Sequence, residues 1–194
     1  MPESQAMGGE AARRLPFFTI GHSNRDLESF VALLDEAGVE CVIDIRTVPR
    51  SRANPQFNRD ALPDALAAHQ VSYEHLAALG GLRGKSKSVS PEVNGFWEND
   101  SFHNYADYAL SEAFREGLDQ LLARGRTLRC AFMCSEAVWW RCHRRIVADH
   151  LLARGESVFH IMAPGRIEPA RLTPGAVPRP EGGVVYPGES GPRP

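Results

Sequence analysis

Four cysteines occur in this 194-residue chain, and two of them stand beside groups that could make a thiol reactive. Cys134 is followed by Ser135 and Glu136, and Cys142 by His143, Arg144 and Arg145. A cysteine that follows a strand and faces a cationic helix start has its thiolate stabilised, so Cys134 is expected to be the most reactive of the four. Glu136, His143 and the upstream His22 are the side chains that could move protons for it. Cys134, Cys142 and His143 could instead ligate a metal, although the seven residues between the cysteines are not a standard zinc spacing. A structural role is the third alternative. Cys41 and Cys130 lie inside apolar runs and read as small core residues.

A second group of polar residues could hold a substrate. Ser23, Asp44, Arg46, Arg50, Ser51 and Arg144 are the candidates, because guanidinium groups bind phosphate or carboxylate bidentately. The alternatives stay open at each place. Gly21 could simply make a turn with Ser23 or Asn24 capping the next helix, and Asp44 with Arg46 could be a salt bridge closing a strand.

Something must bring these residues together, and hydrophobic patterning supplies the elements. Phe17–Ile20, Cys41–Ile45, Val71–Leu76, Leu128–Met133 and Ser157–Ile161 read as strands. Between them, helices are expected over Arg25–Ala37 with Asn24 as cap, from Asn58 to about His69, over Phe102–Arg124, and over Cys142–Ala153. Leu27, Phe30, Val31 and Leu34 share one face of the first helix. This alternation predicts an α/β fold in a single domain, a mostly parallel sheet of about five strands with helices on both faces. Residues 1–16 read as a flexible leader, 17–163 as the α/β domain, and 164–194 as an irregular Pro/Gly-rich tail that packs weakly. In open parallel sheets, ligands bind beyond the carboxyl ends of the strands. His22 and Ser23, Asp44 and Arg46, and Cys134 and Glu136 all fall just after such ends.

Several ordered segments resemble the motifs of domain of unknown function family 488. They are Thr19-Ile20-Gly21-His22-Ser23, Val42-Ile43-Asp44-Ile45-Arg46 with Pro49 and Ser51, Leu79-Gly80-Gly81, and Met133-Cys134-Ser135-Glu136 through Cys142-His143-Arg144. The similarity runs from about Phe18 to His160 and extends to Val185-Tyr186-Pro187. It implies an α/β fold and a shared site built from His22, Asp44, Arg46, Cys134, Glu136, Cys142, His143 and Arg144. It supplies no reaction. Trp139-Trp140 depart from the proline and polar residues more usual there.

Composition narrows the classes of function. A net charge of −2 provides no global field for nucleic acid or anionic membrane, and no apolar stretch is long enough to span a bilayer. The N-terminus lacks an apolar secretory segment, so a cytoplasmic location with reduced thiols is expected. An enzyme acting on an anionic, phosphate- or nucleotide-like small molecule is the first reading. A binding module for nucleic acid or nucleotide, using Arg83, Lys85 and Lys87 of the Gly/Ser-rich loop Gly80–Ser101, is the alternative. The residues name no cofactor and no oligomeric state.

Overall fold

The computed structural model describes residues 14–188, so most of the expected leader lies outside the described residues. The chain runs β1 (Phe17–Gly21), α1 (Leu27–Glu36), β2 (Cys41–Asp44), α2 (Leu62–Ala67), β3 (Ser72–His75), α3 (Asp100–Tyr108) and α4 (Glu112–Gly125). It continues with β4 (Cys130–Cys134), α5 (Arg144–Ala153), β5 (Val158–Ala163), β6 (Arg166–Pro169), β7 (Val177–Pro178) and β8 (Val184–Val185). The α/β architecture is the expected one. Six strands form the main sheet in the order β3-β2-β4-β1-β5-β6, parallel except for β6. No helix among the described residues is long and apolar enough to cross a membrane.

Strand alternation divides the core into two layers. Phe18, Ile20, Val42, Ala131 and Met133 pack with Phe30, Val31 and Leu34 of α1 and Leu62 and Leu66 of α2. Phe17, Ile43, Cys130 and Phe132 face the other way, toward Tyr105, Leu118, Leu121, Ile146 and Leu151 of α3, α4 and α5. Helices thus cover both faces, as near-continuous apolar strands require. The neighbours β1 and β4 send their connections in opposite directions along the sheet, through α1 on one face and α5 on the other. Their carboxyl ends therefore bound a crevice of the kind that binds ligands in open α/β sheets.

Local chemistry corrects several boundaries. Asp26, not Asn24, caps α1, its carboxylate accepting from the Ser29 amide at 2.7 Å. Asn58 does not start a helix, because its side-chain oxygen is taken by the Ser51 amide at 2.6 Å; α2 begins at Leu62. The long helix expected over Phe102–Arg124 is two helices, broken where the Ser111 hydroxyl accepts from the Phe114 amide and starts α4. α5 starts at Arg144, which leaves Cys142 and His143 at its amino end.

The tail departs most from expectation. β6 pairs antiparallel with β5, and Val184, Val185 and Tyr186 are buried. Asp149 of α5 holds this segment, accepting from the Thr173 amide and the Tyr186 hydroxyl, both at 2.8 Å. Proline and glycine density describes local stiffness and turns, and a short apolar trio inside it outweighs that signal once it finds a groove. Residues 189–194 lie outside the described residues.

Burial also creates a pH liability. His150 of α5 packs its ring against Phe114 with centroids 4.8 Å apart, and its Nε2 has no partner. Burial, aided by the Arg154 charge, lowers its pKa to about 3, and burial first and Arg144 second lower that of His160 to about 3. A histidine whose folded pKa is depressed contributes stability above its unfolded value, near 6.5, and loses it as pH falls toward the folded value. Each such group costs up to about 1.4 kcal/mol per pH unit in that window. The His150→Phe variant, which keeps a ring against Phe114, is expected to lose about 2 kcal/mol less stability than wild type between about pH 7 and about pH 5. Urea unfolding at both pH values measures this, and parallel losses would show that His150 protonates freely in the native state.

Candidate functional site

Three strand ends deliver polar groups to one place. β2 ends at Asp44, and two residues later Arg46 turns back over it. The Asp44 carboxylate accepts from Arg46 Nε at 2.9 Å, Arg46 Nη2 at 2.6 Å, the Arg46 amide at 3.0 Å and the Tyr73 hydroxyl at 2.7 Å. Arg46 Nη2 also donates to the Phe57 carbonyl at 2.7 Å. Both charges are buried, with Asp44 fully enclosed. The Arg46 pKa stays raised because the Asp44 hydrogen bonds and charge outweigh the burial that works against it.

His22 follows β1 and takes its orientation from this pair. Its Nδ1 donates to the Ser23 carbonyl at 2.8 Å, its Nε2 accepts from Arg46 Nη1 at 3.2 Å, and its ring stacks on Phe57 at 4.3 Å. The imidazole is therefore held neutral: burial first, with the Arg46 charge adding to it, lowers its pKa to about 4. A histidine so fixed is an acceptor for Arg46 and not a free proton carrier.

Cys134 ends β4, and Cys142 and His143 precede α5. The ligand atoms of these three side chains all lie within 4.8 Å of one another. His143 Nε2 donates to the Ile45 carbonyl at 3.2 Å, which turns its Nδ1 lone pair toward Cys142 Sγ at 3.6 Å and Cys134 Sγ at 3.9 Å. Arg144 lies behind them, almost wholly buried, donating to Cys142 Sγ at 3.4 Å, Thr19 Oγ1 at 3.4 Å and the Glu136 carbonyl at 2.6 Å. None of these acceptors is a carboxylate. The sulfur is the one among them that can carry a compensating negative charge, and a buried guanidinium strongly favours such a partner. Burial opposes ionisation of Cys142, but the Cys134 hydrogen bond and the Arg144 charge bring its pKa down to about 6. Cys134 is pushed the other way, up to about 12, by its bond to Cys142 and then by burial. Sequence alone favours Cys134 as the reactive thiol, whereas Arg144 reaches back over Cys142, so its guanidinium favours negative charge on that sulfur.

A cavity of about 410 Å³ opens over these groups. His22, Arg46, Arg50, Ser51, Cys134, Glu136, Cys142 and His143 line it, all singled out by sequence. Ser23, Asp44 and Arg144 do not. Asp44 and Arg144 sit beneath the lining and position Arg46 and Cys142, while the Ser23 carbonyl receives the His22 ring. Thr47, Val48, Gly81, Leu82, Ser101, Phe102, Ser135 and Arg141 complete its wall. Ser101 and Phe102 arrive from the start of α3, a juxtaposition no local pattern announces. Thr47 anchors the opposite loop by accepting from the Leu82 amide at 3.1 Å.

Glycine is required at two approaches. A Cβ on Gly21 would overlap the Glu136 carbonyl, and one on Gly81 would overlap His143 Nδ1. The Gly80–Ser101 loop is pinned at its base rather than free. Tyr105 and Tyr108 donate to the Leu79 and Ala78 carbonyls, both at 2.7 Å. Arg83 donates to the Gly80 and Ala77 carbonyls and lies 3.7 Å over the Tyr108 ring. Of the three cations expected to clamp a phosphate backbone, Arg83 is thus engaged internally, and Lys85 and Lys87 are exposed.

Two outcomes follow. Asp44→Asn removes one partner of a buried ion pair and leaves a desolvated guanidinium, so a loss of roughly 3–5 kcal/mol is expected in urea unfolding. A loss under about 1 kcal/mol would mean the pair is effectively solvated. In protein stripped of divalent metal, alkylation near neutral pH followed by peptide mapping is expected to reach Cys142 before Cys134, and both before the fully buried Cys41 and Cys130. First labelling of Cys134 would place the thiolate on the other sulfur.

Comparison with curated proteins and with solved structures finds no match. A family model does match, over residues 26–151. That span is shorter than the similarity from Phe18 to His160 suggested by the motifs, and it includes Arg46, Cys134, Glu136, Cys142, His143 and Arg144 but not His22. The chain accordingly belongs to the family described as Domain of unknown function DUF488.

Proposed function

We propose that this protein is an enzyme acting on an anionic, phosphate- or nucleotide-like small molecule in the cavity above β1 and β4. The observation that carries the reading is the convergence of Cys134, Cys142 and His143 with Arg46, Arg50, Arg141 and Glu136 on one cavity at the switch in strand connections. Its volume suits a small ligand. Arg46 is occupied by Asp44 and Phe57, and Arg144 by Cys142, Thr19 and Glu136. The anion therefore falls to Arg141, with Arg50 beside it. Arg50 has Asp60 as a distant and solvated partner at 4.0 Å. The sulfurs supply the electron pairs, as nucleophile or as ligands, and Glu136 at the exposed rim is placed to move a proton.

Calorimetric titration with inorganic phosphate at low salt tests the anion site. Saturable binding is expected, about tenfold weaker in Arg141→Ala, which corresponds to about 1.4 kcal/mol for one charge-assisted contact. Glu136→Gln is expected to bind phosphate as tightly as wild type or more so, because it removes a like charge from the cavity. Wild-type affinity in both Arg141→Ala and Arg50→Ala would eliminate this reading.

A further inference from the structure

The sulfur and nitrogen lone pairs of Cys134, Cys142 and His143 point to a further component of the site. We infer that these three side chains hold a divalent metal of zinc type in tetrahedral coordination, with the fourth position open to the cavity and filled by an anion. This rests in part on the reading of the cavity as an anion site, and names what would grip the anion from below.

Geometry is the first support. Bonds of about 2.3 Å to sulfur and about 2.0 Å to nitrogen set tetrahedral edges of about 3.5 Å between sulfur and nitrogen and about 3.8 Å between sulfurs. The sulfur-to-nitrogen separations here are 3.6 Å and 3.9 Å, and all three atoms lie within 4.8 Å of one another. The two sulfur-to-nitrogen separations are thus within a few tenths of an ångström of such an edge. Orientation is the second support. His143 gives its Nε2 proton to the Ile45 carbonyl, and a ligating imidazole is commonly fixed in this way with its other nitrogen free. Space is the third. A Cβ on Gly81 would press on the face of the His143 ring at Nδ1, so the imidazole can hold this position only against a residue with no Cβ.

Charge then specifies the fourth ligand. Two thiolates neutralise a divalent ion, but Arg144 adds a buried positive charge in contact with Cys142 and has no carboxylate among its acceptors. The assembly is left with one excess positive charge in a buried setting. An anionic ligand at the open position, reached from the cavity that Arg141 also lines, balances it. Glu136 lines the same cavity but its carboxylate does not belong to the close group, so the anion comes from solution.

Cobalt(II) substitution tests this on the full chain, after removal of metal under reducing conditions. Expected are one equivalent bound, strong visible bands of a tetrahedral centre, a near-ultraviolet thiolate-to-cobalt band, and displacement of cobalt by zinc. Cys134→Ser, Cys142→Ser and His143→Ala should each weaken binding at least tenfold, whereas Cys130→Ala, remote from the cavity, should leave the spectrum unchanged. Inorganic phosphate should perturb the visible bands saturably in wild type. Absence of a thiolate-to-cobalt band in folded wild-type protein, or weak octahedral bands alone, would overturn the inference; phosphate binding that persists without metal would then leave the anion-site reading standing. Cobalt bound with the expected spectrum but blind to phosphate would uphold the metal and overturn the anionic fourth ligand.

Discussion

The Asp44–Arg46 pair is the constraint on which the cavity depends. Taking both charges out of water costs several kcal/mol per ion, and the structure offsets this with a dense set of donors and acceptors. Asp44 receives two guanidinium nitrogens, the Arg46 amide and Tyr73, while Arg46 also reaches Phe57 and His22. Those bonds tie β2, β3, the turn at Pro55–Phe57 and the end of β1 into one rigid corner. Because the guanidinium is consumed at this corner, it shapes the cavity wall more than it offers charge to a ligand. His22 is oriented by the same pair and stacked on Phe57, so its neutrality follows from the corner and not from its own sequence neighbours.

Arg144 does for the sulfur side what Arg46 does for the other. It is the largest of the fully buried side chains, and it links β1 through Thr19, the loop after β4 through the Glu136 carbonyl, and α5 through Cys142. Thr19, accepting from Arg144, is left to donate to His160 Nδ1 at 2.9 Å, and His160 in turn stacks on Trp139 at 4.4 Å. The two tryptophans that depart from the residues more usual there thus have separate surroundings. Trp139 is a lid over a polar chain beneath the sheet's end, and Trp140 is exposed.

Much of this was legible in the residues. Apolar runs of strand length separated by helical periodicity give the layers, and polar residues falling just after the strands mark where a site must be. Eight of the sequence-selected residues line the cavity because their positions relative to strand ends are local facts. What was not legible is long-range. The order of strands depends on which apolar faces meet. That Arg144 folds back over Cys142 instead of facing a ligand depends on where the end of β4 meets the start of α5. Helix starts moved because Asp26 and Ser111 offered better caps than the neighbours periodicity preferred. The C-terminal segment was misread because Val184, Val185 and Tyr186 bury in a groove built by residues some ninety positions earlier, with Asn94 accepting from the Tyr186 amide.

The same contrast divides the charges around the cavity into two kinds. Its deep cations are hydrogen-bonded internally, Arg46 to a carboxylate and Arg144 to carbonyl, hydroxyl and sulfur. Rigid, satisfied charges contribute a fixed field without needing to reorganise, and that field weighs more in a partly desolvated pocket than at an open surface. The rim carries Arg50, Arg141 and Glu136 on exposed side chains. The floor of the cavity is thus fixed by its own bonds, while the rim charges face solvent. That division comes from placing the buried charged groups on strand ends and helix starts, and the exposed ones on the loops between them.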